Sequence, residues 1–227
     1  MGVTLGKHRT NLDHRTRTKP QSGSDQLTTA RRQLSAMSPA RGVHVRDLTS
    51  ARPPRIELKS LVEADREPYL EAVRVSRAAL DRWATLHRPE ESDDELFCRQ
   101  LALTESGQAH ANAYRRVAWY QGRIAGGFNL TSITRGLQFE ADVNWWVRSD
   151  LTRLGLGSEG LSMLLAMAFA PLPGGLGLNR VLASIRPDNL WSVRLAERTR
   201  FRRMGAERRS VLVGGRWETH DLYEQSV

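Results

Sequence analysis

The residues best suited to chemistry lie between positions 137 and 158. Residues 137–148 alternate throughout. Leu137, Phe139, Ala141, Val143, Trp145 and Val147 form one face, and Gln138, Glu140, Asp142, Asn144, Trp146 and Arg148 form the other. A period of two sends one row into a core and leaves a polar face, here with two carboxylates, on the opposite side. This strand runs into Thr152-Arg153-Leu154-Gly155-Leu156-Gly157-Ser158. A Gly-x-Gly turn at the start of a helix lets the backbone approach an anion closely, and the first free N–H groups point at it with the helix dipole behind them. The amides of Arg153, Leu154, Gly155, Leu156, Gly157 and Ser158 would build such a phosphate cradle, with Arg153 adding charge. Taken alone, the same stretch is equally a tight strand-to-helix turn that holds nothing. A dinucleotide fingerprint is disfavoured, because the third glycine and a downstream acid at a second strand end are missing. A P-loop is excluded, because no Gly-Lys-Ser/Thr follows.

Other candidates rank lower. The six histidines show no metal-ligand spacing, so no metal is expected. The single cysteine, Cys98, excludes an internal disulfide framework and suits a reducing, cytoplasmic compartment. It is expected as a small buried apolar group. His220 and Trp217 are expected to pack within a terminal hairpin.

The elements that must position the turn can be read along the chain. A short strand at 55–58 is followed by two helices. The first carries Tyr69, Leu70, Ala72 and Val73, then Ala78, Leu80 and Trp83 at helical spacing. The second opens at Ser92 with Glu95 three residues on, a capping box, and carries Leu96, Phe97, Leu101 and Leu103. Strands follow at 114–120 and 124–133 around Gln121-Gly122-Arg123, then the alternating strand, an apolar helix at 159–170, a strand at 179–185, a helix at 188–199 and a hairpin of 209–213 with 217–223 around Gly214-Gly215. The order β-α-α-β-β-β-α-β-α-β-β predicts an α/β fold, a mixed, mostly antiparallel twisted sheet of about seven strands with helices on both faces.

Charge divides the chain. The net charge is +9, of which residues 1–54 supply +7, and all fifteen Phe, Trp and Tyr lie after residue 54. A segment without aromatics and with excess charge cannot offset its ordering entropy. Residues 1–54 are therefore read as a disordered basic leader and 55–227 as one folded domain, with Pro53-Pro54 at the boundary. Met37 could open a shorter version of the chain. The leader would attract RNA weakly and non-specifically, and it has no aromatics to stack on bases. No apolar block follows it to make a secretory signal. The longest uncharged stretch, 160–179, is broken by prolines and glycines, so no membrane span is expected.

The element order and the Gly-x-Gly turn together resemble the GNAT acetyltransferase superfamily, whose phosphate motif reads Arg/Gln-x-x-Gly-x-Gly/Ala at the start of the central helix. Gly155 and Gly157 meet its glycine positions. Thr152 departs from its Arg/Gln position, with Arg153 one residue late. Downstream, Leu178-Asn179-Arg180, Val181-Leu182-Ala183 and Pro187-Asp188-Asn189-Leu190-Trp191-Ser192 resemble the ribosomal-protein alanine N-acetyltransferases of the RimJ/RimL type. The similarity continues in residues 75–83, 131–136 and 215–220, so it spans about 55–223. Two further departures are Asn144-Trp145-Trp146 where the family has Gly-Tyr-Trp, and Arg200-Phe201 where it has Gly-Phe. Arg198, Arg200, Arg202, Arg203, Arg208 and Arg209 form a basic run, either a solvated face or a grip on the nucleotide end of coenzyme A or an acidic peptide.

The resemblance implies a GNAT fold and an acetyl-CoA-dependent N-acetyltransferase. Its acceptor would be a protein N-terminal α-amine, such as that of a ribosomal protein. The alternatives are transfer to a small amine (antibiotic, polyamine or amino sugar) and a non-catalytic, ribosome-associated coenzyme A-binding protein. It implies a central strand that splays from its neighbour, freeing backbone N–H groups around Trp146, Val147 and Arg148 for the thioester carbonyl. It implies Ser192 as the general acid for the departing thiolate and Asn189 as a helix cap touching the pantetheine arm. Other branches place a tyrosine where Ala196 stands. The carboxylate that some relatives carry on the penultimate strand falls near Val211, so the base is sought on the polar face, with Glu140 ranked above Asp142. A monomer or homodimer is expected.

Overall fold

The computed structural model describes residues 54–84 and 86–227, leaving aside the side chains of 206 and 207. The reading of residues 1–54 as a leader lies outside the described part, apart from Pro54. The elements are β1 (Glu57–Lys59), α1 (Arg66–Trp83), α2 (Asp93–Ala109), β2 (Tyr114–Tyr120), β3 (Arg123–Thr134), β4 (Glu140–Val147), α3 (Leu156–Phe169), β5 (Arg180–Ile185), α4 (Leu190–Arg198), β6 (Arg202–Val213) and β7 (Arg216–Ser226). They follow one another in the expected order. Among the described residues, seven strands form one sheet in the order β1-β2-β3-β4-β5-β7-β6, in which β4 and β5 pair parallel and the other neighbours antiparallel.

Each face of the sheet carries its own core. On one, Tyr69, Leu70 and Val73 of α1 and Leu96 and Phe97 of α2 pack on Val117 and Ile124. On the other, Leu156, Leu161, Leu164 and Leu165 of α3 pack on Phe128, Leu130, Val143 and Val181. The capping box at the start of α2 is present. The Glu95 N–H donates to Ser92 Oγ at 3.2 Å, and the Ser92 N–H donates to Glu95 Oε2 at 2.8 Å. This cap satisfies donors that a helix start would otherwise leave free.

Four local expectations differ from the structure. The alternating strand is shorter than residues 137–148: Leu137 and Phe139 are exposed, and Phe139 has φ of 50°. The β3–β4 connection turns there, with a register shift between Thr131 and Thr134, so the alternation continues into a loop that the sheet does not cover. Cys98 is exposed on α2, its Sγ 3.7 Å from Arg66 Nη2. Trp217 is 73% exposed at the tip of the terminal hairpin, whereas His220 is buried as expected. That hairpin is also longer than residues 209–223, because β6 starts at Arg202 and a bulge between Arg203 and Arg208 carries it across the edge.

Arg200, just past the C-terminus of α4, has φ of 69°. This left-handed position costs a residue with a Cβ about 1–2 kcal/mol and normally falls to glycine. Arg200→Gly is expected to stabilise the domain by about 1 kcal/mol, after the extra unfolded-state entropy of glycine. A urea melt would read this as a higher midpoint at unchanged slope, and an unchanged or lower midpoint would refute it.

Candidate active site

The parallel pair β4–β5 is joined only at Glu140–Arg180, Ala141–Val181 and Asp142–Leu182. Beyond Asp142 the strands diverge, as a splayed central strand requires. Successive N–H groups along a strand point to opposite edges. The Arg148 N–H donates to Ala125 O of β3 at 2.8 Å, so the Trp146 N–H turns toward β3 as well. The N–H groups of Trp145 and Val147 turn toward the open edge. Of the backbone expected around residues 146–148, the Val147 amide is therefore the one that faces the gap.

The gap opens into a cavity of about 890 Å³. Its wall brings together Trp146, Val147, Arg153, Gly155, Leu156, Gly157, Ser158, Asn189 and Ser192. Gly155 takes φ of 82° at the start of α3, a conformation for which glycine is suited, and α3 begins at the next residue. The loop is fixed from behind. Glu159 accepts from the Arg55 and Ile56 backbone N–H groups and from Arg55 Nε, and Arg55 Nη2 donates to Leu154 O at 2.9 Å. A Cβ on Gly157 would come within 3.2 Å of Leu195 and 3.3 Å of Val147, so α3 lies close against β4 and α4 at this point. These features fit a thioester cosubstrate whose carbonyl meets the β4 edge and whose phosphates meet the α3 amides.

Ser192 lies in the first turn of α4. Its N–H donates to Oδ1 of the cap residue Asn189 at 3.2 Å, and its hydroxyl makes no hydrogen bond among the described residues. Both residues border the cavity. The position of the alternative tyrosine, Ala196, is fully buried.

Three expected site residues are placed elsewhere. Arg148 is buried, with Nη2 2.7 Å from Glu71 and Nε 2.8 Å from Asp150, and it ties α1 to the end of β4. These hydrogen bonds raise its pKa and lower that of Glu71. Leu154 is exposed, with its carbonyl held by Arg55, and it does not border the cavity. Glu140 accepts from Arg180 Nε at 2.9 Å, and the Asp142 carboxylate lies 2.5 Å from Arg209 Nη1. Neither carboxylate is in the cavity wall, so the structure does not bring Glu140, the expected general base, to the cavity. Bridging to arginines across the sheet uses both acids.

The structure adds His220. The pairs Arg209–His220 and Ser184–Leu222 place His220 on the same face as Asp142, Asn144 and Trp146, on the far bank of the splay. It is buried and borders the cavity. Its Nδ1 lies 3.0 Å from Glu218 O. A carbonyl can only accept, so Nδ1 carries a proton, and in the neutral tautomer this sets, the lone pair is on Nε2, which makes no hydrogen bond among the described residues. From sequence alone His220 is expected to pack within the hairpin. The signal that could have found it is hairpin register, since a Gly214-Gly215 turn sets Arg209 opposite His220 and fixes which face it takes.

Charge in the wall is one-sided. Arg99, Arg115, Arg116, Arg153, Arg186, Arg194 and Arg198 border the cavity, and no Asp or Glu does among the described residues. Arg186 is spent on Asp188 at 2.7 Å and Arg99 on Glu91 at 2.6 Å, an ion pair that holds the Glu91 carboxyl at about 2. Much of the basic run is also neutralised: Arg202 pairs with Glu224, Arg203 and Arg208 with Asp221, and Arg209 with Asp142. No group of three His, Cys, Asp or Glu among the described residues could hold a metal ion, and no described helix is long and apolar enough to cross a membrane.

Comparison with known proteins gives concordant matches. A family described as "Acetyltransferase (GNAT) domain" matches residues 55–202. A curated relative, "Probable N-acetyltransferase YjcK" of Bacillus subtilis (strain 168), is 29% identical over 100 residues, or 44% of this chain and 53% of that protein. The match thus spans about half the length of the curated relative. Among solved structures, Mycobacterium smegmatis RimJ in complex with CoA-disulfide superposes with a TM-score of 0.66 at 21% identity, covering 75% of this chain and 81% of that one. The ribosomal-protein-S5-alanine acetyltransferase of Vibrio fischeri gives 0.65 at 19%, covering 78% and 95%. At these identities the structural matches speak for the fold.

Proposed function

This chain belongs to the GNAT acetyltransferase family, and from that premise we propose that it transfers the acetyl group of acetyl-CoA to the α-amine of a protein N-terminus. The observation that carries this choice of acceptor is the cavity wall, rich in arginine and without a carboxylate among its described residues. Polyamines and aminoglycoside antibiotics carry several ammonium groups and need acids to receive them; here they would meet like charge. A peptide N-terminus brings a single amine, and a positive surround favours its neutral, nucleophilic form. The ribosomal-protein-S5-alanine acetyltransferase among the structural neighbours supports a ribosomal protein as that acceptor.

In this reading, each group in the cleft has one task. The α3 amides and Arg153 receive phosphates, with Arg194 and Arg198 of α4 lining the same side. The Val147 N–H donates to the carbonyl oxygen as charge develops on it. His220 Nε2 takes the proton from the attacking amine, and as the C–S bond breaks the Ser192 hydroxyl passes a proton to the sulfur while regaining one from solvent. Thr152, in place of Arg or Gln, leaves the backbone cradle intact and hands the side-chain charge to Arg153.

The test is calorimetric titration of the full chain with acetyl-CoA, followed by coenzyme A release with N-terminal peptides, spermidine and an aminoglycoside as acceptors. Release with peptides alone is the expected result. Release with spermidine would replace the acceptor, and binding without release by any amine would favour the non-catalytic reading. Ser192→Ala is expected to lower kcat about tenfold to a hundredfold with little change in acetyl-CoA affinity. The loss stays at the low end for an acid, because a thiol with an ordinary pKa of about 8.5 is already a fair leaving group. Unchanged kcat would leave Ser192 as a helix-start serine.

A further inference from the structure

On the α1–α2 side of the sheet runs a polar row that the chemistry above does not use. Arg115 on β2 faces Asn129 on β3, and Asn129 faces Asn144 on β4, each as direct cross-strand partners. Asn129 Nδ2 donates to Asn144 Oδ1 at 2.9 Å. All three residues border the cavity. Neighbouring strands lie about 4.8 Å apart, so the row extends about 10 Å from the splay beside Asn144 to Arg115.

Arg115 and Arg116 on β2 both border the cavity without an acid among the described residues, but the Arg116 guanidinium stacks on Tyr114 and donates to Arg115 O, whereas Arg115 lies in the polar row. It is half-buried, its guanidinium donates to Gln100 Oε1 at 2.8 Å, and no carboxylate pairs with it among the described residues. Arg148, Arg180 and Arg209 all have acids. Burial, reinforced by the charge of Arg99, lowers the Arg115 pKa. A guanidinium held partly out of water without a counter-charge carries a desolvation cost that a bound anion would offset, and its fork of donors suits a carboxylate.

We propose that Arg115 is the receptor for an acidic side chain of the acceptor, at its second or third residue. This rests on the reading of the acceptor as an N-terminal peptide. An extended chain covers about 3.3–3.6 Å per residue, so an amine placed at the splay puts the side chain of residue two or three over Arg115. The enzyme would thus select N-termini by an Asp or Glu close behind the reacting amine.

The experiment uses the full chain, acetyl-CoA and two peptides that differ only in Asp/Glu versus Asn/Gln at positions two and three. The acidic peptide is expected to be favoured about tenfold to a hundredfold in kcat/KM. In Arg115→Gln that preference is expected to fall to near one, with acetyl-CoA affinity retained as proof of an intact fold. Arg115→Lys, which keeps the charge without the fork, is expected to keep part of it. Equal rates with both peptides would overturn the proposal and leave the N-terminal reading standing. Acetylation of neither peptide, with turnover of a phosphate-bearing small amine, would overturn both.

Discussion

His220→Asn is expected to reduce kcat/KM about a hundredfold or more near neutral pH, within the range for loss of a general base. Asparagine can still donate a hydrogen bond toward Glu218 O, where His220 Nδ1 now sits at 3.0 Å, but it has nothing at the position of Nε2. The substitution therefore removes the base and keeps the anchor. Acetyl-CoA affinity and the melting temperature are expected to hold, because His220 touches neither the α3 turn nor α4 in this reading. The pH dependence separates a base from a packing residue. In the variant, turnover depends on amine that reaches the site already deprotonated, and an α-amine ordinarily titrates at about 7.7–8.0. The deficit should be largest at pH 6 and shrink toward pH 9. A deficit independent of pH would assign His220 to positioning, and the absence of any deficit would refute the role.

Gly126→Ala is expected to cost about 3 kcal/mol, the upper part of the range for overpacking, which for a domain of this size lowers the melting temperature by about 6–12 °C. Gly126 sits on β3 at φ of 156°, and a Cβ there would lie 2.1 Å from Trp146 O and 3.1 Å from Val147 Cα. Those are backbone atoms and cannot swing aside as a side chain would. The strain falls on the stretch of β4 whose far edge borders the splay, so acetyl-CoA affinity should drop with stability. Gly174→Ala is the control, since its Cβ would meet nothing closer than 3.9 Å. Equal melting temperatures for the two variants would show that β3 and β4 have more freedom here than the geometry allows.

Elements fixed by local rules were legible in the chain itself. The Ser92–Glu95 capping box, the helix opening at the Gly-x-Gly turn and the Asn189 cap each depend on residues within a few positions of one another. Their order along the chain was enough to indicate the architecture, and the expected order of strands and helices is the one observed. Motif spacing then pointed to the family. Boundaries were less secure where a local pattern outlived its element. Leu137 and Phe139 continue the alternation of β4 but lie in a turn that no helix covers.

The assignment of charges was decided by tertiary structure alone. Glu140 and Asp142 look like reagents in the sequence because a polar strand face near a phosphate turn is where reagents belong. Whether such a carboxylate is free depends on partners brought from 40 and 67 positions away, Arg180 and Arg209. The backbone N–H of Arg148 is likewise taken by Ala125 O across the β3 edge, while its side chain reaches Glu71, 77 positions upstream. His220 and Arg115 are the converse: unremarkable in sequence, they gain their place because hairpin and cross-strand register bring them to the cavity wall. Helix caps, turns and apolar periodicity are short-range consequences of backbone geometry, so the sequence by itself determined the fold. Which titratable group remains unpaired in the cleft is a sum over long-range contacts, and that only the folded sheet decides.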